Sequence, residues 1–499
     1  MTMDGYIGML IAYAQRHLGL DARDAVYARN RVLAALGRDH YEEQAAGELP
    51  ELPSPILQGI FSCLAEEGKD FDAAVLGERL MDAVMLRPSE CERIFTEQYA
   101  QSPRAATDWA YEYAVRSDYV KKSAIDRNIA WSARNGLEIT INLSKPEKNN
   151  KDLQKQLEVR STTYPACTIC RENEGYERPG FSRRNMRTFS LRLGGDDWFW
   201  QYSPYAYFNE HGIAICTRHA PMKLDEGTAG RLFDFVDLFP HYFIGNNAPL
   251  PRVGGSILAH DHYQGGRAVL PMQRAGVCVP LRAAAFPSVR AGVIDWHNTA
   301  LRFESEDRRA IEKLAFSVAS AWKTYQNPAL DILPFTGDTP HNTASFIARR
   351  SDGGYILDVI LRNNRTSEQY PDGIFHAHRE RHHIKSESIG LIEAMGLFIL
   401  PARLKRQLGE VKKFLTRECA YDSGALAEDM RIFAPMIERL LAAHGKLAPA
   451  EADEVLRGEV EDTCRAILED TAVFKRTQEG RAALLAFLAG AGLKATGGN

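Results

Sequence analysis

Apolar side chains recur every three or four positions along the first part of the chain, and polar residues fill the positions between them. The four clearest segments are residues 6–18, 24–36, 54–67 and 74–86. This spacing matches the 3.6 residues of a helical turn, so each segment would bury one face. Prolines punctuate the pattern at several points. We therefore predict a helical N-terminal region over residues 1–150.

The pattern changes after Tyr164, where aromatic and β-branched residues become frequent. Such residues favour strands, and alternation between glycine-containing turns favours an antiparallel sheet. We predict strands in residues 196–217, strand, turn and strand in 254–271, and a hairpin in 345–363 that turns at Asp352-Gly353-Gly354.

Helices are predicted again beyond and between these strands. They cover residues 227–243, 305–326 and 387–400, the last capped by Ser386, and most of the chain after residue 402. The alternation of strands and helices around an antiparallel sheet predicts an α+β protein flanked by helical segments.

Composition excludes several classes of protein. The chain has 499 residues, which suggests two or three structural units, and 45% of them are hydrophobic. The net charge of -4 provides no basic field for nucleic acid. No run approaches the roughly 18 apolar residues of a membrane span, and the start lacks the pattern of a signal peptide. Eight cysteines without export signals indicate reduced thiols in the cytoplasm.

Residues 254–266, GGSILAHDHYQGG, contain a candidate for chemistry. On a strand, His260 and His262 would share one face, which suits a shared metal ion or phosphate. The flanking glycines would let backbone N–H groups approach an anion, and Gln264 would add a neutral donor. One histidine could therefore attack phosphorus as a nucleophile, or the pair could be structural or bind a metal. The motif alone leaves these alternatives open.

A possible metal site extends this motif. Cys167 and Cys170 form a CxxC pair, which is typical of a redox site or of half a metal knuckle. The pair precedes polar, glycine-containing sequence rather than a helix in a βαβ unit, and this favours the metal. His219 follows a predicted strand, and His260 would complete a Cys₂His₂ tetrahedron.

Six blocks of sequence, in order, resemble the second class of UDP-glucose–hexose-1-phosphate uridylyltransferases, a family of the histidine-triad superfamily. The blocks are YPACTICRENEGY, WQYSPYAYFNEH, ICTRHAPMKL, GGSILAHDHYQGG, TPHNTASFIARR and HHIKSESIGLIEAMGLFILPARL. The resemblance implies an antiparallel-sheet, histidine-triad-like core over residues 151–405. Helical regions over 1–150 and 406–499 would flank this core.

The resemblance also implies a reaction. Uridylyl would pass from UDP-glucose to His262 and then to galactose-1-phosphate, in a ping-pong sequence. Gln264 would bond the phosphoryl oxygens, where related hydrolases carry a third histidine. The family's other class holds zinc through residues that match Cys167, Cys170, His219 and His260. We therefore expect a structural Zn²⁺, no organic cofactor, no membrane or nucleic-acid partner, and a homodimer.

Further residues are expected to bind substrate on the same grounds. They are Asn246, Asn247, Ser256, Arg183, Arg187, Lys385 and Glu393. Ser256 could equally be a strand hydroxyl, and the two arginines could belong to a solvated basic face. A second metal site of the other class would use histidines that match His341, His376 and His378. Gln273 stands where that site needs a glutamate, so no second metal is predicted.

Two other functions compete with the transferase. The first is another nucleotidyltransferase or phosphorylase of the same superfamily that uses a different base. The second is a non-catalytic, zinc-stabilised sensor of nucleotide sugars, which the intact His262 and Gln264 disfavour. A zinc-containing nucleic-acid module is disfavoured by the mildly acidic composition.

Overall fold

A computed structural model of the chain describes residues 1–44, 47–144, 164–179, 181–254 and 257–496. Its helices are α1 (Met3–His17), α2 (Ala25–Leu36), α3 (Ser54–Glu66), α4 (Ala73–Val84), α5 (Pro88–Gln101), α6 (Pro103–Arg116), α7 (Lys122–Ile125), α8 (Thr228–Leu238), α9 (Pro271–Arg274), α10 (Arg308–Thr324), α11 (Leu391–Ala394), α12 (Arg403–Leu415), α13 (Ala434–His444), α14 (Pro449–Thr471) and α15 (Gln478–Gly490).

The strands fall mainly in the middle of the chain. They are β1 (Ile129–Ser132), β2 (Glu138–Asn142), β3 (Glu177–Arg178), β4 (Phe181–Ser182), β5 (Phe189–Leu193), β6 (Asp196–Tyr202), β7 (Gly212–Cys216), β8 (Phe243–Asn246), β9 (His262–Gly266), β10 (Val277–Ala283), β11 (Arg290–Ile294), β12 (Ala300–Ser305), β13 (Phe335–Thr336), β14 (Thr339–Pro340), β15 (Asn342–Ser351), β16 (Gly354–Asn363), β17 (Leu397–Pro401) and β18 (Leu493–Ala495).

The helices predicted at the start of the chain are confirmed as α1 to α4. Each buries the face that the apolar spacing indicated; in α1, for example, Ile7, Leu10 and Ala14 are inaccessible to solvent. Local capping fixes their starts, as at α4, where the Asp72 side chain accepts hydrogen bonds from two backbone N–H groups. Strands β1 and β2 were not predicted, since the apolar spacing in this region indicated helices.

An antiparallel sheet of 11 strands forms the centre of the molecule, in the order β18-β10-β11-β12-β16-β15-β8-β9-β7-β6-β5. The predicted hairpin is confirmed as β15 and β16, and Ser351 pairs with Gly354 across its turn. Helices α8 and α10 pack on one face of the sheet. The predicted α+β class with an antiparallel sheet is therefore correct.

Strand β9 lies inside this sheet between β7 and β8, and its register assigns side chains to faces. His262 pairs with Ile215, and Gln264 pairs with both Ile213 and Gly245. Since side chains alternate along a strand, His262 and Gln264 share one face and Tyr263 lies on the other. Tyr263 stacks on Trp198 at 4.8 Å between ring centroids, on the side of helix α8.

The prediction of two strands in residues 254–271 is wrong in part. Among the described residues of this range, only His262–Gly266 forms a strand. His260 precedes the strand, and Pro271–Arg274 forms a short helix. The proline at the first helical position has no backbone N–H to lose, which suits a helix start. The two histidines are therefore not equivalent positions of one strand.

The prediction of an apolar helix over residues 387–400 is also wrong. Helix α11 covers only four residues and starts after Gly390 instead of Ser386. Gly396 adopts a positive φ of 96°, and the chain then enters strand β17. This strand pairs in parallel with β2, which completes a three-stranded sheet with β1. An unbroken apolar run fits a buried helix or a buried strand equally well, so periodicity could not separate them.

The helical C-terminal prediction is confirmed by α12 to α15, and strand β18 adds to the edge of the large sheet beside β10. In the described ranges, none of the helices has the length and apolar character needed to cross a bilayer. The boundaries at residues 150 and 405 stay predictions, and the first lies outside the described residues.

A buried ion cluster joins three strands of the large sheet. Asp358 on β16 is inaccessible to solvent and contacts Arg302 on β12 at 2.7 Å and Arg349 on β15 at 2.6 Å. Arg302 also donates to backbone carbonyls around α9, for example to Ala275 O at 2.8 Å. The carboxylate therefore neutralises two cations that are both largely withdrawn from water.

We expect Asp358→Asn to lower the free energy of unfolding by about 3 kcal/mol, because it leaves two buried guanidinium groups without a counter-charge. Urea unfolding followed by tryptophan fluorescence measures the change. The control is Glu304→Gln, whose partner Arg290 is 78% exposed, and it should change stability by less than about 1 kcal/mol. Equal effects of the two variants would contradict this account.

Candidate functional site

Four side chains from distant parts of the chain converge beside strand β7. They are Cys167, Cys170, His219 and His260, and their ligand atoms all lie within 4.8 Å of one another. Cys170 Sγ is 3.2 Å from His219 Nδ1, and Cys167 Sγ is 3.3 Å from His260 Nδ1. Donors around a tetrahedral zinc ion would lie about 3.5–3.8 Å apart, so these residues fit such an ion. The predicted ligand set is therefore assembled and could hold a metal.

The second nitrogen of His260 supports this assignment. Its Nε2 lies 2.7 Å from the carbonyl oxygen of Cys216. Since the carbonyl can only accept, Nε2 carries the proton and Nδ1 presents its lone pair to the cluster. A hydrogen bond from the far nitrogen to a backbone carbonyl is the usual support of a metal-binding histidine.

The two thiols differ in acidity. The Cys170 thiol, as hydrogen-bond donor, lowers the pKa of Cys167 to about 7. The same contact raises the pKa of Cys170 to about 11. The pair therefore holds one thiolate readily, and all eight cysteines of the chain are free rather than disulfide-bonded. A thiolate is the form that binds a metal ion.

His262 is buried at the start of β9, and one ring nitrogen has a fixed partner. Nδ1 lies 2.8 Å from the backbone oxygen of His260, so Nδ1 is the protonated nitrogen. Burial is the main cause that lowers the pKa of His262 to about 4. The ring is therefore neutral near pH 7, and its Nε2 carries an unprotonated lone pair suited to attack on an electrophile.

Gln264 lies on the same face of β9, one step along the strand. Its Oε1 lies 3.1 Å from Nε2 of His211, which precedes strand β7. Gln264 is half-buried, whereas His211 is 3% exposed. The carbonyl end of the amide thus contacts the protein, and the amide nitrogen is the end left to meet a ligand.

Two glycines around the motif have close backbone neighbours. A Cβ atom on Gly265 would lie 2.1 Å from the backbone oxygen of Phe243, and one on Gly254 would lie 2.0 Å from that of Ala248. These glycines therefore allow close approach of the chain's own backbone, and the predicted approach of an anion stays a prediction. Gly255 and Ser256 lie outside the described residues.

Asn246, which ends β8, and Asn247, which follows it, have different contacts. Asn246 pairs with Tyr263, on the face opposite His262, and its Oδ1 accepts from Phe346 N at 2.7 Å. Its Nδ2 donates to Asn247 O at 2.9 Å and to Ala344 O on β15 at 3.4 Å, so the side chain ties β8 to β15. Asn247 accepts from Leu391 N at 3.4 Å, while its buried Nδ2 has no partner among the described residues. Asn247 is thus the better candidate for a ligand contact.

Lys385 and Glu393 are brought together as a buried pair with 3.3 Å between Nζ and Oε1. Lys385 also donates to Ile399 O at 3.1 Å, and Glu393 accepts from the backbone N–H of Gly390 at 3.2 Å. The pair therefore fixes the segment before α11 against strand β17. These contacts within the protein do not test whether Lys385 and Glu393 bind substrate, so that role stays a prediction.

The predicted substrate arginines have partners inside the protein. Arg187 is 8% exposed, and its nitrogens donate to Asp82 at the end of α4 and to three backbone oxygens, among them Leu86 O at 2.9 Å. Arg183 donates to Ser182 O at 3.3 Å and lies 4.0 Å from Glu78. These contacts attach the segment after the cysteines to the N-terminal helices and give no support to a role in substrate binding.

The histidines considered for a second metal site are engaged elsewhere. His341 uses both ring nitrogens, with Asn364 Oδ1 and Thr336 Oγ1 each at 2.8 Å. His378 contacts Ile374 O, and Gln273 caps α9. Within the residues that the structure describes, they assemble no second cluster of metal-binding side chains.

Two buried residues near the site were missed by sequence reasoning. His211 contacts Gln264, and Arg362 on β16 donates to Ile389 O at 2.9 Å, two residues before Leu391, whose N–H contacts Asn247. Arg362 is 1% exposed, and its Nε has no partner in the described part of the chain. Neither belongs to a spacing motif, so only the fold could bring them into view.

Comparison with known families matches most of the chain to two profiles. Residues 19–221 match the family described as galactose-1-phosphate uridyl transferase, N-terminal domain. Residues 235–428 match the family described as galactose-1-phosphate uridyl transferase, C-terminal domain.

Curated relatives extend this match over nearly the full chain. The galactose-1-phosphate uridylyltransferase of Halalkalibacterium halodurans is 41% identical, over 97% of this chain and 97% of the relative. That of Streptococcus mutans is 40% identical, over 94% of this chain and 96% of the relative. Among solved structures, yeast Ap4A phosphorylase aligns with a TM-score of 0.30 and 12% identity, covering 59% of this chain and 88% of that chain.

We expect the purified protein to hold about one metal ion per chain, as a Cys₂His₂ set does. Cys170→Ser should remove most of that metal, because it replaces a thiolate ligand with a hydroxyl, and it should lower the melting temperature. Elemental analysis by mass spectrometry and thermal scanning measure the two effects. Cys278→Ser, at an exposed cysteine, is the control. Equal metal content in both variants would argue against the cluster.

The two asparagines should separate binding from stability. Asn247→Ala should weaken the binding of UDP-glucose, the ligand expected from the sequence, by about tenfold or more, as for a hydrogen bond to a charged group. Asn246→Ala should instead lower the free energy of unfolding by about 1–3 kcal/mol, because it orphans a buried backbone N–H. Isothermal titration and urea unfolding measure the two quantities. The reverse pattern would show that the roles are exchanged.

Proposed function

Because the chain belongs to the galactose-1-phosphate uridyl transferase family, we propose that it transfers uridylyl from UDP-glucose to galactose-1-phosphate through a covalent intermediate on His262. The observation that carries this proposal is the state of the His262 ring. It is buried and neutral, its Nδ1 proton is bonded to a backbone oxygen, and its Nε2 lone pair is available.

In the first half-reaction, Nε2 of His262 attacks the phosphorus atom of UDP-glucose that bears uridine. A P–N bond forms, the P–O bond to the second phosphate breaks, and glucose-1-phosphate leaves with the electron pair. The ring becomes positively charged as the bond forms. The backbone oxygen of His260 accepts the Nδ1 proton in a hydrogen bond, and this contact stabilises the charge.

In the second half-reaction, a phosphate oxygen of galactose-1-phosphate attacks the same phosphorus atom. The P–N bond breaks, its electrons return to Nε2, and UDP-galactose leaves. Glucose-1-phosphate is the leaving group of the first half-reaction and the neutral His262 imidazole is that of the second, so neither needs a proton from another group of the protein. One covalent intermediate thus serves both directions of transfer.

Gln264 suits this exchange better than a third histidine would. Its amide NH₂ can donate to a phosphoryl oxygen that gains charge in the transition state, without adding a base that would activate water. The contact of Oε1 with His211 supports this role, since it leaves the NH₂ end for the ligand.

We propose Zn²⁺ as the metal of the Cys₂His₂ cluster. Bound there, it would act as a structural ion that fixes the backbone around His260. The carbonyl of His260 holds the ring of His262, so the cluster would act on the nucleophile through position rather than through chemistry.

We further propose that the protein acts in the cytoplasm as a homodimer, as the resemblance to the family implies. The free state of all eight cysteines supports a reducing compartment, because a metal-binding thiolate pair needs reduced sulfur. Light scattering of the purified protein tests the dimer.

Incubation with UDP-glucose labelled at the uridine-bearing phosphorus should give labelled protein, and peptide mapping should place the label on His262. His262→Ala should abolish labelling, because it removes the attacking nitrogen, whereas His444→Ala, at an exposed histidine, should retain it. ADP-glucose and GDP-glucose serve as competing donors. Absence of label in active protein, or label in His262→Ala, would contradict the covalent intermediate.

A further inference from the structure

The turn between β6 and β7 brings His211 against Gln264, although neither the spacing motifs nor the family resemblance assigns this histidine a role. Nε2 of His211 lies 3.1 Å from Oε1 of Gln264. The ring also stacks on Tyr207, with centroids 5.1 Å apart, and lies 4.6 Å from the ring of Phe208. His211 is therefore held in one orientation by its own turn.

The backbone fixes which nitrogen of His211 carries the proton. The N–H of Tyr207 points to Nδ1 at 3.5 Å, so Nδ1 acts as an acceptor. A neutral imidazole has one donor and one acceptor, and Nε2 is then the donor. Its partner must accept, and the accepting atom of Gln264 is Oε1. A Gln264 amide turned the other way would oppose two N–H groups.

We propose that His211 is a positioning residue that sets the orientation of the Gln264 amide, so that its NH₂ faces the phosphoryl group during transfer. This inference rests on the proposed function, since it concerns the same reaction. In this chain of hydrogen bonds, the Tyr207 N–H donates to Nδ1 of His211, and Nε2 of His211 donates to Oε1 of Gln264. Without it, Gln264 could present its oxygen to the phosphoryl oxygens, which repels instead of stabilising the developing charge.

A buried network keeps the turn in place. Glu210 is 2% exposed and accepts from Tyr242 Oη at 2.5 Å and from Arg267 Nε at 2.7 Å. Arg267 follows strand β9 directly, so the ion pair ties the turn that bears His211 to the strand that bears Gln264. His211 and Gln264 are thus held together by their own contact and by the ion pair between their neighbours Glu210 and Arg267.

His211→Gln and His211→Glu form a matched pair that tests the proposal. The two side chains have the same shape, and their terminal atoms reach the position of Nε2, but the amide can donate to Oε1 and the carboxylate cannot. We expect His211→Gln to retain kcat for adduct formation within about fivefold, and His211→Glu to lose about 100-fold, as on removal of a transition-state donor. The KM for UDP-glucose should change much less than kcat.

The same pair in a Gln264→Ala background separates positioning from a general structural effect. The difference between the two variants should shrink to less than about threefold there, because the amide to be oriented is gone. Equal rates of the pair in the parent, or an undiminished difference in the Gln264→Ala background, would overturn the proposal.

His211→Leu adds a neutral variant in case the carboxylate prevents folding, which a thermal scan would reveal. It should be at least about tenfold slower than His211→Gln, and equal rates would again overturn the proposal. Loss of the adduct in the parent protein would instead overturn the proposed function, so the two failures are distinguishable.

Discussion

The candidate site depends on the hydrogen bond that the backbone carbonyl of His260 accepts from the His262 ring. The ring of this residue joins the cysteine cluster through Nδ1 and the backbone of Cys216 through Nε2, while its own backbone oxygen holds the ring of His262. One residue therefore connects the candidate metal cluster, strand β7 and the proposed nucleophile. Any shift of the cluster would turn His262, because the two residues share a hydrogen bond and are separated by only one position.

The rigidity of β9 comes from both faces of the sheet. On the face of helix α8, Tyr263 accepts from Arg231 Nε at 2.7 Å, and Arg231 pairs with Asp225 at 2.6 Å. On the other face, Gln264 meets His211. Asp261, for which the sequence predicts no role, is 5% exposed, and burial raises its pKa to about 6. Contacts on both faces thus hold the strand that carries His262 and Gln264.

Residues that act through spacing or short motifs were predictable from the sequence. The cluster was found from CxxC and two histidines, and the helices α1 to α4 from their apolar period. A prediction failed where the local sequence suits two structures, as in residues 387–400, where a four-residue helix and strand β17 replace the predicted helix. The contact of Arg187 with Asp82 could not be predicted, since the approach of α4 depends on the fold. His211 was missed because its role depends on register, which pairs Ile213 with Gln264.

The parallel pairing of β17 with β2 has a consequence for how the chain folds. Leu397 pairs with Glu138, so the β1–β2 hairpin receives its third strand only after ten of the 11 strands of the large sheet have been synthesised between them. Contacts so distant in sequence close large loops, which slows folding and leaves unpaired strand edges exposed meanwhile. We therefore expect the three-stranded sheet to form late in folding, and until it forms the apolar side chains of β2 would be displayed to other molecules.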